Sequence, residues 1–197
     1  MGDYFERIVD VEVTAEEAGP LAERMVEWMV SEGLLTREMS GDGMYSRKVE
    51  EGYVPGPNWQ RTAHDWGSDW IPGPVAVIVG RESHIGGQGE IEPESATCPR
   101  CETKTVIIDY PEEFEADDEV WQPFQGGIDA WKEAGEGSAA CSTCGEAVPV
   151  TEWQWSSGFD LGALAFEFWG WPPLDVDFLA EFGRQLGHRT EEQSGKF

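Results

Sequence analysis

The sequence predicts an α+β protein in which two or three amphipathic helices pack on an antiparallel sheet, and three observations predict it. Short runs rich in β-branched and aromatic residues recur along the chain, bounded by Gly and Pro, as strands require. Three other stretches repeat apolar residues every three or four positions, the spacing of one helix face. Four cysteines fall in two equal pairs, Cys98-Pro-Arg-Cys101 and Cys141-Ser-Thr-Cys144-Gly145, each inside turn-and-strand sequence, with none left over.

Taken in order, Tyr4 to Val13 reads as a first strand, and Thr14-Ala15-Glu16-Glu17 has the form of a capping box opening a helix. Gly19-Pro20 is expected to break or restart that helix. Beyond it Leu21, Met25, Trp28 and Met29 line one face until Gly33, a stripe read as core packing. Residues 50–74 read as a loop carrying four prolines together with Trp59, Trp66 and Trp70, and Val75 to Val79 as a buried strand ended by Gly80. A strand at Thr105–Tyr110, an amphipathic helix at Val120–Ala134 and a returning strand at Ala147–Trp155 surround the cysteines. Leu161 to Trp171 is almost wholly apolar. A last helix runs from near Asp175 to Gly187, and the tail from His188 is either an edge strand or unstructured. This order divides the chain into an N-terminal α/β part (1–97), a cysteine-bearing part (98–155) and a C-terminal part packing on the same core (156–197).

Two residues between paired cysteines let the chain turn so that both sulfurs face one ion about 2.3 Å away, and two such hooks complete a tetrahedron. Pro99 and Gly145 suit tight turns of this kind. The 39 residues between Cys101 and Cys141 exceed the roughly 15–20 of a compact zinc ribbon, so the expectation is a ribbon split by an insertion. One Zn²⁺ held by Cys98, Cys101, Cys141 and Cys144 is expected, in a structural role because four thiolates leave no position for water. Disulfides are the weaker reading: no charged-then-apolar leader precedes Met1-Gly2-Asp3-Tyr4 and no long apolar span appears, so the chain reads as cytoplasmic, where thiols stay reduced.

Ten Trp, nine Phe and four Tyr give this chain enough apolar surface for a real core, which excludes a disordered acidic protein. Its 39 acidic residues against 13 Lys and Arg give a net charge of −26. Residues 1–97 hold 19 acids and 7 bases, and residues 98–197 hold 20 and 6, so the excess belongs to the whole chain and not to a tail. Such a field repels nucleic acid and anionic membranes and favours encounter with basic partners; the bland alternative is that it only keeps the protein in solution. The densest stretch, Glu112, Glu113, Glu115, Asp117, Asp118 and Glu119, reads with Trp59, Trp66 and Trp70 as the candidate partner-binding set.

No catalytic constellation is visible. GxSxG, HExxH and the deaminase pattern are absent, and Ser83 to Gly89 lacks the lysine of a phosphate loop. His64 beside Asp65, and His84 in a Gly-rich turn, are the residues an enzyme reading would use.

Asp3-Tyr4-Phe5-Glu6, the split CPRC and CSTCG hooks, Phe166 to Leu174 (FEFWGWPPL) and Phe178 to His188 (FLAEFGRQLGH) together resemble a family of uncharacterised small split zinc-ribbon proteins from high-GC Gram-positive bacteria. The resemblance spans most of the chain and implies the fold outline and the zinc hooks, with no activity attached. It also implies an apolar C-terminal strand, from which Thr190-Glu-Glu-Gln-Ser194 departs. The expected function is a non-catalytic acidic zinc protein that binds a basic partner, in its concrete form an immunity-type inhibitor of a nuclease-like toxin or a nucleic-acid mimic. The alternatives are a zinc-ribbon adaptor docking on transcription or translation machinery, or an enzyme using His64, Asp65 and His84.

Overall fold

The computed structural model describes residues 4–63, 70–87, 91–156 and 158–196. Along the chain come β1 (Tyr4–Asp10), α1 (Ala15–Ser31), β2 (Leu35–Ser40), β3 (Gly52–Pro55), a 3₁₀ turn at Trp59–Thr62, β4 (Val75–Ile85), β5 (Ser95–Thr97) and β6 (Lys104–Val106). They are followed by α2 (Asp118–Ala134), β7 (Ser138–Ala140), β8 (Ala147–Pro149), a 3₁₀ turn at Val150–Glu152, β9 (Gln154–Trp155), β10 (Phe159–Trp169), α3 (Val176–Leu186) and β11 (Thr190–Lys196). The α+β class holds, with three α-helices among the described residues. None of the described helices is long and apolar enough to cross a membrane. Two compact units divide the chain: one drawn from Met1–Gly80, Gly86–Gly89 and Gly162–Phe197, the other from Arg81–Ile85 and Glu90–Leu161.

The first unit is built on a six-stranded, mostly antiparallel sheet in the order β11-β1-β10-β4-β3-β2. Interior position explains why β10 is nearly all apolar, since both its faces are covered. Ile8, Leu164, Phe166 and Phe168 on one face pack with Leu21, Met25 and Met29 of α1 and Phe178, Phe182 and Leu186 of α3. The Met and Trp stripe of α1 is therefore core, and Trp28 stacks on Phe178 at 6.4 Å. On the opposite face, which alternation assigns to the odd residues of β1 and β10, lie Phe5, Arg7, Val9, Ala165, Glu167 and Trp169.

Thr14 caps α1 as its sequence predicts, accepting from the Glu17 N–H at 3.3 Å while its hydroxyl donates to the Glu17 carboxylate at 2.8 Å. The expected break at Gly19-Pro20 does not occur: α1 runs unbroken, because Pro20 lies near the helix start and Gly19 has no Cβ for the ring to meet. The loop expected over residues 50–74 contains β3 and a 3₁₀ turn. β4 does not stop at Gly80 but continues to Ile85, which places His84 in a strand. The tail is an edge strand, β11, paired antiparallel with β1 from Tyr4↔Lys196 to Asp10↔Thr190. An edge strand needs only one apolar face and tolerates charge on the other, so its polar sequence is no obstacle.

The β1–β11 pairing carries a titrating group. Glu6 lies opposite Ser194, and burial pushes its carboxyl up to about 7 against a Ser194 hydrogen bond that lowers it, with the charge of Glu192 adding to the rise. A carboxyl that keeps its proton in the folded state to higher pH than its ordinary 4.5 stabilises the fold most below that value. Its contribution is lost as pH rises through about 7. Glu6→Gln is expected to flatten this decline and raise stability at pH 8 by about 1 kcal/mol, a figure reduced for partial exposure. Urea titrations of both proteins at pH 5 and pH 8 read it directly; equal differences at the two pH values would refute it.

In the second unit α2 supplies the face its periodicity predicts: Trp121, Phe124, Ile128 and Trp131 are buried with Trp153, Phe159 and Leu161. Phe124 meets Trp153 edge-on at 4.8 Å. Asp117 caps the helix by accepting the N–H groups of Glu119 and Val120 at 2.9 and 3.3 Å. Gly127 lets α2 approach β7 closely, since a Cβ there would lie 2.7 Å from the Ser138 carbonyl.

Candidate metal centre

Each cysteine pair sits at the tip of a two-stranded hairpin. β5 and β6 pair around Cys98–Cys101, and β7 and β8 around Cys141–Cys144. The two tips fold alike. In the first, Cys98 N–H donates to the Thr103 carbonyl at 3.0 Å and Glu102 N–H to the Cys98 carbonyl at 2.9 Å. In the second, Cys141 N–H donates to the Glu146 carbonyl and Gly145 N–H to the Cys141 carbonyl, both at 2.9 Å. The residue after the second cysteine is left-handed in both, with φ 59° at Glu102 and 76° at Gly145. Gly145 takes that conformation freely; Glu102 adopts it against its Cβ, which marks how firmly the turn is imposed.

All four Sγ atoms lie within 4.8 Å of one another. Two approaches join the hairpins, Cys101 to Cys141 at 3.7 Å and Cys98 to Cys144 at 4.0 Å. Four sulfurs each 2.3 Å from a central ion in a tetrahedron are about 3.8 Å apart, so this spacing fits one tetrahedral thiolate-bound ion. All four cysteines are free of disulfides. Cys98 and Cys141 are buried, Cys101 is half-buried and Cys144 is exposed.

The hydrogen bonds also suit thiolates. The Thr103 hydroxyl and N–H hold the Cys101 thiol down to about 6, and the N–H groups of Cys144 and Thr143 lower Cys141. Cys144 goes the other way: its Glu146 N–H is outweighed by desolvation together with the sulfurs of Cys141, Cys101 and Cys98, and the thiol is pushed up to about 11. Four thiolates this close repel one another, and a divalent cation is what lets all four ionise together.

Of the other predicted residues, Trp59 and Trp70 belong to the first unit and Glu112 to Glu119 to the second. Trp59 meets Trp171 edge-on at 5.7 Å beside the main core, so it is packed and not presented. Trp70 is 42% exposed and donates its Nε1–H to the Gly170 carbonyl at 2.8 Å. Trp66, His64 and Asp65 lie outside the described residues. Glu112, Glu113, Glu115, Asp117, Asp118 and Glu119 are all exposed, Asp117 doubling as a helix cap. His84 is buried in β4. The sequence did not reveal that His188 has a carboxylate partner: its Nδ1 lies 2.8 Å from Oδ2 of the buried Asp10, which also accepts the N–H groups of Glu12 and Val13. No residue spacing signals a pair 178 positions apart.

No protein-family model, curated protein or solved structure matches this chain.

Proposed function

We propose that this chain is a non-catalytic binding protein, stapled by one structural Zn²⁺ in a split ribbon, that recognises a basic protein partner. Its concrete form is an immunity-type inhibitor of a cationic nuclease-like toxin, or a mimic that takes the place of nucleic acid. The observation that carries the reading is the 109–119 segment. It holds seven carboxylates, all on exposed residues, and no Lys or Arg occurs from residue 105 to 131. On a chain of net charge −26, such a surface speeds encounter with a basic protein and excludes phosphate backbones. A four-thiolate site, with every ligand position filled, supports a structural and not a catalytic metal.

The adaptor reading is favoured by the hooks alone. Arg100 on the first hook is engaged by Glu152 at 2.6 Å, which leaves Lys104 as the other base beside the cysteines, too little for direct nucleic-acid contact. Docking of the ribbon on a protein machine stays compatible with it.

Immobilised protein is expected to retain a basic protein from its own cytoplasm and no DNA or RNA, with an association rate that falls severalfold from low to near-molar salt while dissociation changes little. Reversing Glu112, Glu113 and Glu115 to Lys should slow association. Association indifferent to salt, or retention of nucleic acid, would overturn the reading.

A further inference from the structure

We propose that the recognition anchor of this protein is the Tyr110–Phe114 pair at the tip of the 107–117 loop, and that it binds arginine side chains of a basic protein segment. The inference rests on the binding-protein reading above and locates its anchor away from the tryptophans of residues 59–70.

The loop is held at both ends. Ile107 and Ile108 are buried in the core of the second unit, the Asp117 N–H donates to the Ile107 carbonyl at 2.9 Å, and the Asp117 side chain caps α2. Within it the Glu113 N–H donates to the Asp109 carbonyl at 3.0 Å. This frame lifts Phe114 to 74% and Tyr110 to 38% exposure, with the rings edge to face and their centroids 5.6 Å apart. Large aromatic rings in water on a tied loop are unfavourable for the isolated protein, and a preorganised pair of this kind is what a recognition anchor needs.

The surroundings select the occupant. Asp109, Glu112, Glu113 and Glu115 flank the rings on the same loop, and no base of the loop competes for them. Next along the chain, the first turns of α2 form an open groove of about 340 Å³ lined by Asp118, Glu119, Trp121, Gln122 and Gln125. A guanidinium satisfies both demands at once: its flat face stacks on an aromatic ring while its edge donates paired hydrogen bonds to a carboxylate. An ammonium matches the charge but not the plane, and an acidic or phosphate-bearing partner is repelled.

The test uses two fluorescent peptides of equal length and charge, alternating Arg-Gly and alternating Lys-Gly, titrated against the whole zinc-loaded protein at moderate salt. The Arg peptide is expected to bind about two- to fivefold more tightly, the size of an exposed cation–π contact. Phe114→Ala should erase that preference and leave the Lys peptide unchanged. Phe114→Leu, which keeps the apolar bulk, should behave like the Ala variant, and the exposure of Phe114 predicts that both fold normally by circular dichroism. Equal affinities for the two peptides in the unaltered protein, or a preference that survives Phe114→Ala and Tyr110→Ala, would overturn the loop's role while leaving the binding-protein reading intact. Failure of both peptides to bind at low salt would remove both.

Discussion

Cys98→Ser is expected to release the metal and unfold the second unit, with a loss on the order of 3–5 kcal/mol or more. Cys98 is wholly buried at the junction of β5 and the first hook, and its sulfur lies 4.0 Å from that of Cys144 in the other hairpin. The strands that flank the hooks are only three residues long; β7 and β8 pair only with each other, β5 and β6 gain only the two-residue β9, and sheets of that size are not stable alone. One ion bound by these four thiolates would supply the missing cross-link, so that most of its binding free energy would appear as folding free energy. Elemental analysis should find one zinc per chain in the unaltered protein and less in the variant. Hydrogen exchange should accelerate in β5 to β9 and α2 while α1 and α3 remain protected. A metal-free protein that keeps its protection and melting temperature after chelation would refute the staple.

The gathering of the four cysteines was legible because its constraint is local: two residues between thiols leave few ways to turn a chain. What surrounds them was less so. The expected strand at Thr105–Tyr110 shrinks to Lys104–Val106, since Ile107 and Ile108 turn into the core and the chain then enters the acidic loop. The returning strand at Ala147–Trp155 is split into β8, a 3₁₀ turn and β9, because Val150 is drawn into the core beneath α2. Trp59, expected among the partner-binding residues, packs beside the core instead, and the exposure of Phe114 was not foreseen, for a related reason. A Trp in a Pro-rich stretch is indistinguishable, in sequence, from one facing solvent, and a Phe among six acids gives no sign that its loop ends are tied.

The helices were read to within two or three residues, since capping is also local: Thr14, Asp117 and Asp175 each accept a backbone N–H at the start of their helix, and Gly135 and Gly187 adopt positive φ at the ends of α2 and α3. Strands that are not apolar are harder to read: the tail stands between an edge strand and no structure, and the second half of β4 reads as a Gly-rich turn. β11 is Thr-Glu-Glu-Gln-Ser-Gly-Lys, and the second half of β4 is Arg-Glu-Ser-His-Ile. In both, the hydrogen-bonding neighbour and not the hydropathy pattern makes the strand, and a neighbour distant in sequence leaves no mark on it.

The same remoteness hides the other large effect. Arg7 of β1 donates from Nε and Nη2 to one oxygen of Glu167 in β10, at 3.0 and 2.6 Å, and from Nη1 to Gln193 of β11 at 2.7 Å. Trp169 donates to the second Glu167 oxygen at 3.2 Å, and Phe5 stacks its ring 4.3 Å from the guanidinium carbon. All three polar side chains are buried, so the network joins three adjacent strands across β1 and leaves each charge dependent on the other. Glu167→Ala is therefore expected to cost about 3–5 kcal/mol, chiefly because it strands the Arg7 charge in a low-dielectric setting. Replacing both members, Arg7→Met with Glu167→Leu, should recover most of that loss, since two apolar side chains of similar volume remove the desolvation cost along with the attraction. Chemical denaturation of Arg7→Met, Glu167→Leu and the double variant beside the unaltered protein forms a complete cycle. Recovery in the double variant identifies the cost as that of an unpaired buried charge. A double variant as unstable as the sum of the singles would mean instead that the Arg7 bond to Gln193 is what fastens β11, and hydrogen exchange confined to that strand would then report the loss.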